Sequence, residues 1–192
     1  MRSPQTLTVT DRRTVAAWAA DCAEHVLEIY ENAIPSDARP RELIDRARAF
    51  ARGELDAVDG IRRRFEGGVP AADVVGAPAA AAVARAAGQA AAMAHMGAHA
   101  FGAAAYAAKA AGLAAPYRPD AVTAEVRWQV EHMSTAVRAA LRLLPPVGQN
   151  RAGPLGPRLL TSGLLGEIIG DVQAILTDSD GGTATRSRSR LR

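Results

Sequence analysis

An all-α bundle of about six or seven helices is the fold this sequence predicts, and three observations carry the prediction. Forty-four of the 192 residues are alanine, the strongest helix former. Aromatic residues make up only 4% and β-branched ones are few, so the side chains that fill a pleated sheet are missing. Apolar positions recur at helical spacing in one segment after another. A chain of this length buries a core of its own, as one domain with an extension.

The first helix is expected over residues 11–33, capped by Thr10 or Asp11 and ended by Pro35. Val15, Trp18, Cys22, Val26 and Ile29 form its apolar stripe. Proline is tolerated in a first turn, so a second helix starts near Pro40 and runs to residue 52, burying Leu43, Ala47 and Phe50. A short third helix is expected over 56–65, before a loop marked by Gly67, Gly68, Pro70, Gly76 and Pro78. Residues 77–112 are helical in composition throughout, but one straight helix of that length would span roughly 54 Å, too long for this domain. A break near Met96 and Gly97 gives two helices instead, with alanine and glycine on facing sides so that the backbones approach closely.

Pro116 and Pro119 close that section, and Asp120 starts a helix that continues to Pro145, with Val122, Val126, Val130, Met133 and Val137 toward the core. The run QNRAGPLGPR has the composition of a linker. A last helix over 164–176 carries a wide apolar stripe at 164, 165, 168, 169, 172, 175 and 176. Residues after Thr177, ending RSRSRLR, are expected to be disordered. Three parts result: a helical domain over 1–144, a proline-rich linker plus helix over 145–177, and a tail over 178–192.

Charge and cysteine content exclude several classes. Lysine plus arginine total 23 against 20 acidic residues, a net charge of +3, and Lys109 is the only lysine. One cysteine excludes an internal disulfide framework and a Cys-rich zinc site. The opening MRSPQTLTVTDRR has no apolar run of signal-peptide length, and the alanine-rich stretch carries Arg85, Gln89, His95, His99 and Lys109, which are costly in lipid. The expectation is a cytoplasmic protein with a reduced thiol at Cys22 and no membrane partner. The basic tail lacks interleaved aromatics, so nucleic acid is not expected either. GxSxG, a Walker A loop and a helix-opening GxGxxG are absent, and Asp178-Ser-Asp180 lacks the rest of a calcium loop; no cofactor is expected.

The histidines are the candidates for chemistry. His95 and His99 stand four apart, so on a continuous helix both point the same way. No metal is expected, since two imidazoles fall short of a zinc ligand set and HEXXH is absent. In the first helix, Asp21 and His25 are spaced to pair, the carboxylate fixing the imidazole tautomer. Cys22 beside His25 is either a thiolate nucleophile or a small buried hydrophobe, and free cysteines are mostly the latter. The helix after Pro119 adds an Arg127–Glu131 pair, Trp128 and His132. A pocket with acid–base capacity would draw on His95, His99, His25 and His132, with Asp21 or Glu131 orienting one of them. Trp18 and Trp128 are expected near the alanine surface.

Four stretches together resemble a known family. WAADCAEHVLEIYE (18–31), RPRELIDRARAFARGELD (39–56), ARAAGQAAAMAHMGAHAFGAAAYAAKAA (84–111) and EVRWQVEHM (125–133) are similar to the Imm-5-like family of putative immunity proteins, small alanine-rich helical proteins common in actinobacteria. The resemblance covers about residues 10–144, and the third stretch carries the most distinctive pattern. It implies an all-helical intracellular fold and a toxin-immunity role. His95, His99, Tyr106, Lys109, Arg127 and Trp128 are the positions that match the family's recurring residues, and with Trp18 they are the candidate ligand-binding set. The chain departs from the pattern at FEGGVPAADVVGAP (65–78), which replaces a continued helix, and beyond residue 144.

Two functions from different classes follow. The resemblance implies a cytoplasmic binding protein that neutralises a partner toxin or effector. The histidines imply instead a helical enzyme or ligand-binding protein whose pocket takes a small metabolite, in the setting of a biosynthetic cluster. The apolar stripe of the last helix must be buried somewhere, and a homodimer with that helix at the interface is the expectation.

Overall fold

The computed structural model describes residues 3–56, 76–157 and 159–181. Among the described residues there are eight α-helices and no strand: α1 (Val9–His25), α2 (Leu27–Ala33), α3 (Arg39–Arg52), α4 (Pro78–Ala91), α5 (His99–Ala114), α6 (Ala121–Glu131), α7 (Thr135–Arg142) and α8 (Gly163–Gly181). The all-α class is as expected. No described helix is long and apolar enough to cross a membrane. The expected third helix over 56–65 and most of the loop after it lie outside the described residues.

The alanine-rich stretch supplies the centre. α4 and α5 pack together more extensively than any other pair, α1 crosses both, and α3 closes on α1 and α4 while α6 and α8 lie on α5. Ala84, Ala87 and Ala90 on α4 and Ala100, Ala103, Ala104, Ala107 and Ala108 on α5 are almost fully buried. The expected break falls at Ala92–Ala94, a 3₁₀ turn, and continues through Gly97. An added Cβ at Gly97 would fall 2.5 Å from Leu7 Cδ1, so a side chain there would force Leu7 to shift where the N-terminal segment closes on this corner.

That closure is a clasp. The Gly97 and Ala98 N–H groups donate to the Thr6 and Gln5 carbonyls at 3.1 Å each. The Gln5 side chain, 1% exposed, donates to the Ala152 carbonyl at 2.5 Å and accepts from the Leu155 N–H at 2.9 Å. Arg12 donates to the Ala94 and His95 carbonyls at 2.6 and 3.0 Å, satisfying groups that the helix break had freed. The linker is therefore anchored, with Leu155 fully buried, despite its proline and glycine content.

Three boundaries differ from expectation. The first helix begins at Val9, because Thr8 rather than Thr10 or Asp11 is the N-cap, accepting from the Asp11 N–H at 3.1 Å. It also breaks at Val26, whose backbone leaves the helical region; the turn redirects α2 so that Leu27 and Tyr30 bury against α4. The helix expected from Asp120 to Pro145 is split, because Ser134 caps a new start, its hydroxyl accepting from the Val137 N–H at 3.2 Å. Of its expected stripe, Val126, Met133 and Val137 are buried and Val122 and Val130 partly so.

α8 closes on its own chain. Leu165, Ile168, Ile169, Val172 and Leu176 are buried, whereas Leu164 and Ile175, counted in the stripe, are 42% and 37% exposed. Gln173 holds the start of the linker, accepting from the Val147 N–H at 2.9 Å and donating to the Pro145 carbonyl at 3.0 Å. Arg142 donates to the Leu176 carbonyl at 2.8 Å. Most of the stripe is thus covered by the chain's own bundle, with Leu164 and Ile175 left at the surface. The helix runs to Gly181, past the Thr177 at which disorder was expected to begin; residues after Gly181 lie outside the described set.

Two expected outcomes test this architecture. Gln5→Ala strands the buried Leu155 N–H and removes the hydrogen bond to the Ala152 carbonyl, and should cost about 1–3 kcal/mol in urea unfolding; an unchanged midpoint would mean the clasp carries no weight. Asp37 accepts from Tyr30 Oη at 2.7 Å and from Arg39 Nε at 2.8 Å. The Arg39 hydrogen bond holds the Asp37 carboxyl well below the usual carboxylate range, and burial with the Asp37 contact pushes the Tyr30 phenol up to about 12. A carboxyl depressed in the folded state contributes stability above its unfolded pKa of about 3.9 and loses it as pH falls below. Asp37→Asn should therefore lower stability at neutral pH and flatten its decline in acid, measured by denaturation at a series of pH values.

Candidate functional site

α1 and α6 meet through polar and aromatic side chains, and that meeting is the candidate site. Trp18, 2% exposed, donates its indole N–H to the Gln129 carbonyl at 2.9 Å. Two turns further along α1, His25 faces Glu125, one turn before Gln129 on α6. Gln129, fully buried, donates from Nε2 to Glu125 Oε1 at 2.9 Å and to the Ala104 carbonyl of α5 at 3.1 Å. Glu125, 5% exposed, is bound at its other oxygen, Oε2, by His25 Nδ1 at 2.7 Å. Gln129 Oε1 is a buried acceptor with no partner among the described residues.

Outward from that buried line stands a stack of three rings. The His25 and Trp128 rings are parallel, with centroids 3.6 Å apart and planes within 3°. His132 lies on the other side of the indole at 4.1 Å, tilted by 26°. Its Nδ1 meets the Trp128 carbonyl at 2.7 Å. A carbonyl only accepts, so His132 Nδ1 carries hydrogen; His25 Nδ1 likewise donates to the Glu125 carboxylate. In the neutral form each ring then presents Nε2 as its acceptor. The stack borders an open groove of about 280 Å³, lined by Asp21, Glu24, His25, Trp128 and His132. The arrangement can accept hydrogen bonds, take up a proton at an oriented imidazole, or anchor a partner on a rigid half-buried tryptophan.

Several expectations about these residues are corrected. Asp21 does not orient His25. It pairs with Arg48 of α3 at 3.0 Å, and Arg48 also binds Glu24, because α3 packs along that side of α1 and brings its cation there. Glu125 takes the role expected of Asp21. His95 and His99 do not share a continuous helix face: the chain breaks between them, and their ring centroids are 6.3 Å apart at 41°. His99 Nδ1 meets Gln89 Oε1 at 2.8 Å, a contact that Gly102 permits, since a Cβ there would strike the Gln89 side chain. Both lie away from the stack, so the four histidines do not form one pocket. No ion pair joins Arg127 to Glu131, both of which are exposed. Among the described residues no group of three or more metal-ligating side chains comes together.

Tyr106 is buried and Lys109 half-buried on α5. They line a separate cavity of about 350 Å³ with Arg85, Leu113 and Leu165. Burial pushes the Tyr106 phenol up, with Arg85 opposing. Trp18 belongs to the core, whereas Trp128 stands between two imidazoles. Sequence reasoning missed Glu125 and Gln129. The signal was present: position 129 falls on the face defined by Val122, Val126 and Met133, where a glutamine interrupts an apolar stripe.

Cys22 is completely buried, and burial, reinforced by the charges of Glu125 and Asp21, pushes its thiol well above the ordinary value. That is the environment of a small core residue and not of a thiolate nucleophile. Native protein at about pH 8.5 should therefore resist iodoacetamide at Cys22 while the unfolded chain is labelled readily; labelling of the native form at a free-thiol rate would contradict this burial.

A family model described as Imm-5 like putative immunity protein matches residues 5–136, starting at the Gln5 clasp and ending inside α7. No curated protein and no solved structure matches the chain.

Proposed function

We propose that this chain, which belongs to the Imm-5 like putative immunity protein family, is a cytoplasmic immunity-type binding protein that neutralises a partner toxin or effector. The observation that carries the reading is the state of Trp128: partly buried, clamped on both faces by imidazoles, and fixed through His25 to a buried carboxylate. Held in this way, a tryptophan loses little entropy when a partner covers it, the property of an interface anchor. The surrounding groove is open to the outside rather than enclosed, as a contact surface needs.

A second reading, a small-metabolite site with acid–base capacity, is favoured by the carboxylate-oriented imidazole of His25 beside His132. One experiment separates the two. The chain is co-expressed with the toxin candidate encoded by the adjoining gene, and survival is scored. Wild type should protect. Trp128→Ala should weaken the complex by about 2 kcal/mol or more, roughly thirtyfold, and lose protection. His25→Gln, which keeps a hydrogen-bond donor near Glu125 but removes one of the two rings clamping Trp128 together with its acid–base nitrogens, should lose protection only in part, less than Trp128→Ala. Absence of protection by wild type would overturn the immunity reading, and loss of protection only in His25→Gln would favour acid–base chemistry.

A further inference from the structure

We infer that the groove beside the ring stack is a receptor for one guanidinium-bearing side chain, so that the partner presents an exposed arginine at this point. The inference deepens the binding role proposed above and rests on it. It follows from an inventory of what the groove offers. Both imidazoles spend Nδ1 within the chain, His25 on Glu125 and His132 on the Trp128 carbonyl, at 2.7 Å each. What remains toward the groove on neutral rings is Nε2, an acceptor. Asp21 and Glu24 add two carboxylates whose side chains are 43% and 46% exposed. One guanidinium, Arg48, serves both, so the carboxylates outnumber the cation beside them. Glu125 adds a third carboxylate directly behind His25, 5% exposed. Acceptors and negative charge therefore concentrate here on a chain whose formal net charge is +3.

The other occupants fit poorly. An anion would face Asp21 and Glu24. A metal ion shared by His25 and His132 is prevented by the indole that stands between the two rings, and no third ligand joins them. A flat aromatic ligand has no free face of Trp128 to stack on, since both faces are covered. A guanidinium has five donors in a plane and a long apolar stem. Its donors meet the carboxylates and the imidazole Nε2 atoms, while its stem lies along the ring edges. The groove, about 280 Å³, has room for one such side chain. The cost of burying Glu125 and Gln129 behind the stack is then accounted for, because their hydrogen bonds fix the tautomer and angle of His25.

The test uses N-acetyl-arginine methylamide as probe and the citrulline analogue, its uncharged isostere, as control. Proton–nitrogen spectra follow the Trp128 indole and the His25 and His132 rings, with buried Trp18 as the internal reference. The arginine probe should move the three ring signals saturably and leave Trp18 in place, while the citrulline analogue should bind about fivefold more weakly or worse. The double variant Asp21→Asn, Glu24→Gln alters only exposed side chains and keeps the stack; it should weaken the arginine probe about fivefold or more, with an unchanged helical spectrum. No saturable shift, equal binding of citrulline, or unchanged binding by the double variant overturns the inference. Survival in co-expression reads the binding role and this titration reads the ligand class, so either can fail alone.

Discussion

The close approach of α4 and α5 through alanine is the constraint on which the rest of the fold depends. Alanine gives a helix without side-chain entropy loss and lets two backbones come together, but each buried methyl contributes only about 0.8 kcal/mol of transfer free energy. A smooth alanine surface also specifies register weakly, since one turn of such a helix looks much like the next. Something else must fix where the surrounding helices lie. In this chain that task falls to long polar side chains that reach across to backbone groups. Arg12 takes the carbonyls of Ala94 and His95, Gln129 that of Ala104, Gln5 the Ala152 carbonyl and the Leu155 N–H, and Gln173 and Arg142 fix α8. Each tether has one geometry, and a slip by one turn would break it. Hydrogen bonds supply here the specificity that large interdigitating side chains supply elsewhere.

The candidate site is an outgrowth of one of these tethers. Gln129 can reach the Ala104 carbonyl because the side chain there is a single methyl. In doing so it sets the rotation of α6 about its axis, which puts Glu125 opposite the end of α1 and turns Trp128 outward. His25 is the last residue of α1, and the turn at Val26 frees its ring from the helix surface to lie flat on the indole. The break that periodicity did not reveal is therefore part of how the stack is built.

What the sequence disclosed divides along physical lines. Helix formation, the break at residues 92–98 and the buried stripes of α1 and α3 were legible because local propensity and short-range periodicity carry them, and the family because four stretches of sequence resemble it. The pairings were not. Asp21 and His25 have the right spacing to meet on one helix, but Arg48 and Glu125, each from a helix distant in sequence, compete for them and win. His95 and His99 would share a face only on a continuous helix, and the break expected near Met96 and Gly97 lies between them. The destination of the α8 stripe was equally hidden: its apolar pattern requires burial but does not say against what, and Gln173 and Arg142 decide for the chain's own bundle. Glu125 and Gln129 lay in plain view as polar residues on an apolar face, which is the pattern that marks a buried network.

That network is costly in stability terms, which bears on its purpose. A carboxylate and a carboxamide taken out of water lose hydration that their mutual hydrogen bonds only partly return, and apolar residues of similar size would usually serve packing as well or better. Gln129 keeps one acceptor unpaired even so. Elsewhere in the bundle, buried polar side chains answer freed backbone groups: Arg12 at the helix break, Gln5 at the linker. Glu125 does not. Its two oxygens receive Gln129 and His25 and no backbone N–H, so it stabilises no helix end and closes no turn. Besides holding the Gln129 carboxamide, it orients one imidazole at the surface, and through that ring it stiffens Trp128. A cost borne at a single point, with an outcome on the exterior, is the reason for assigning the α1–α6 edge a role outside the molecule.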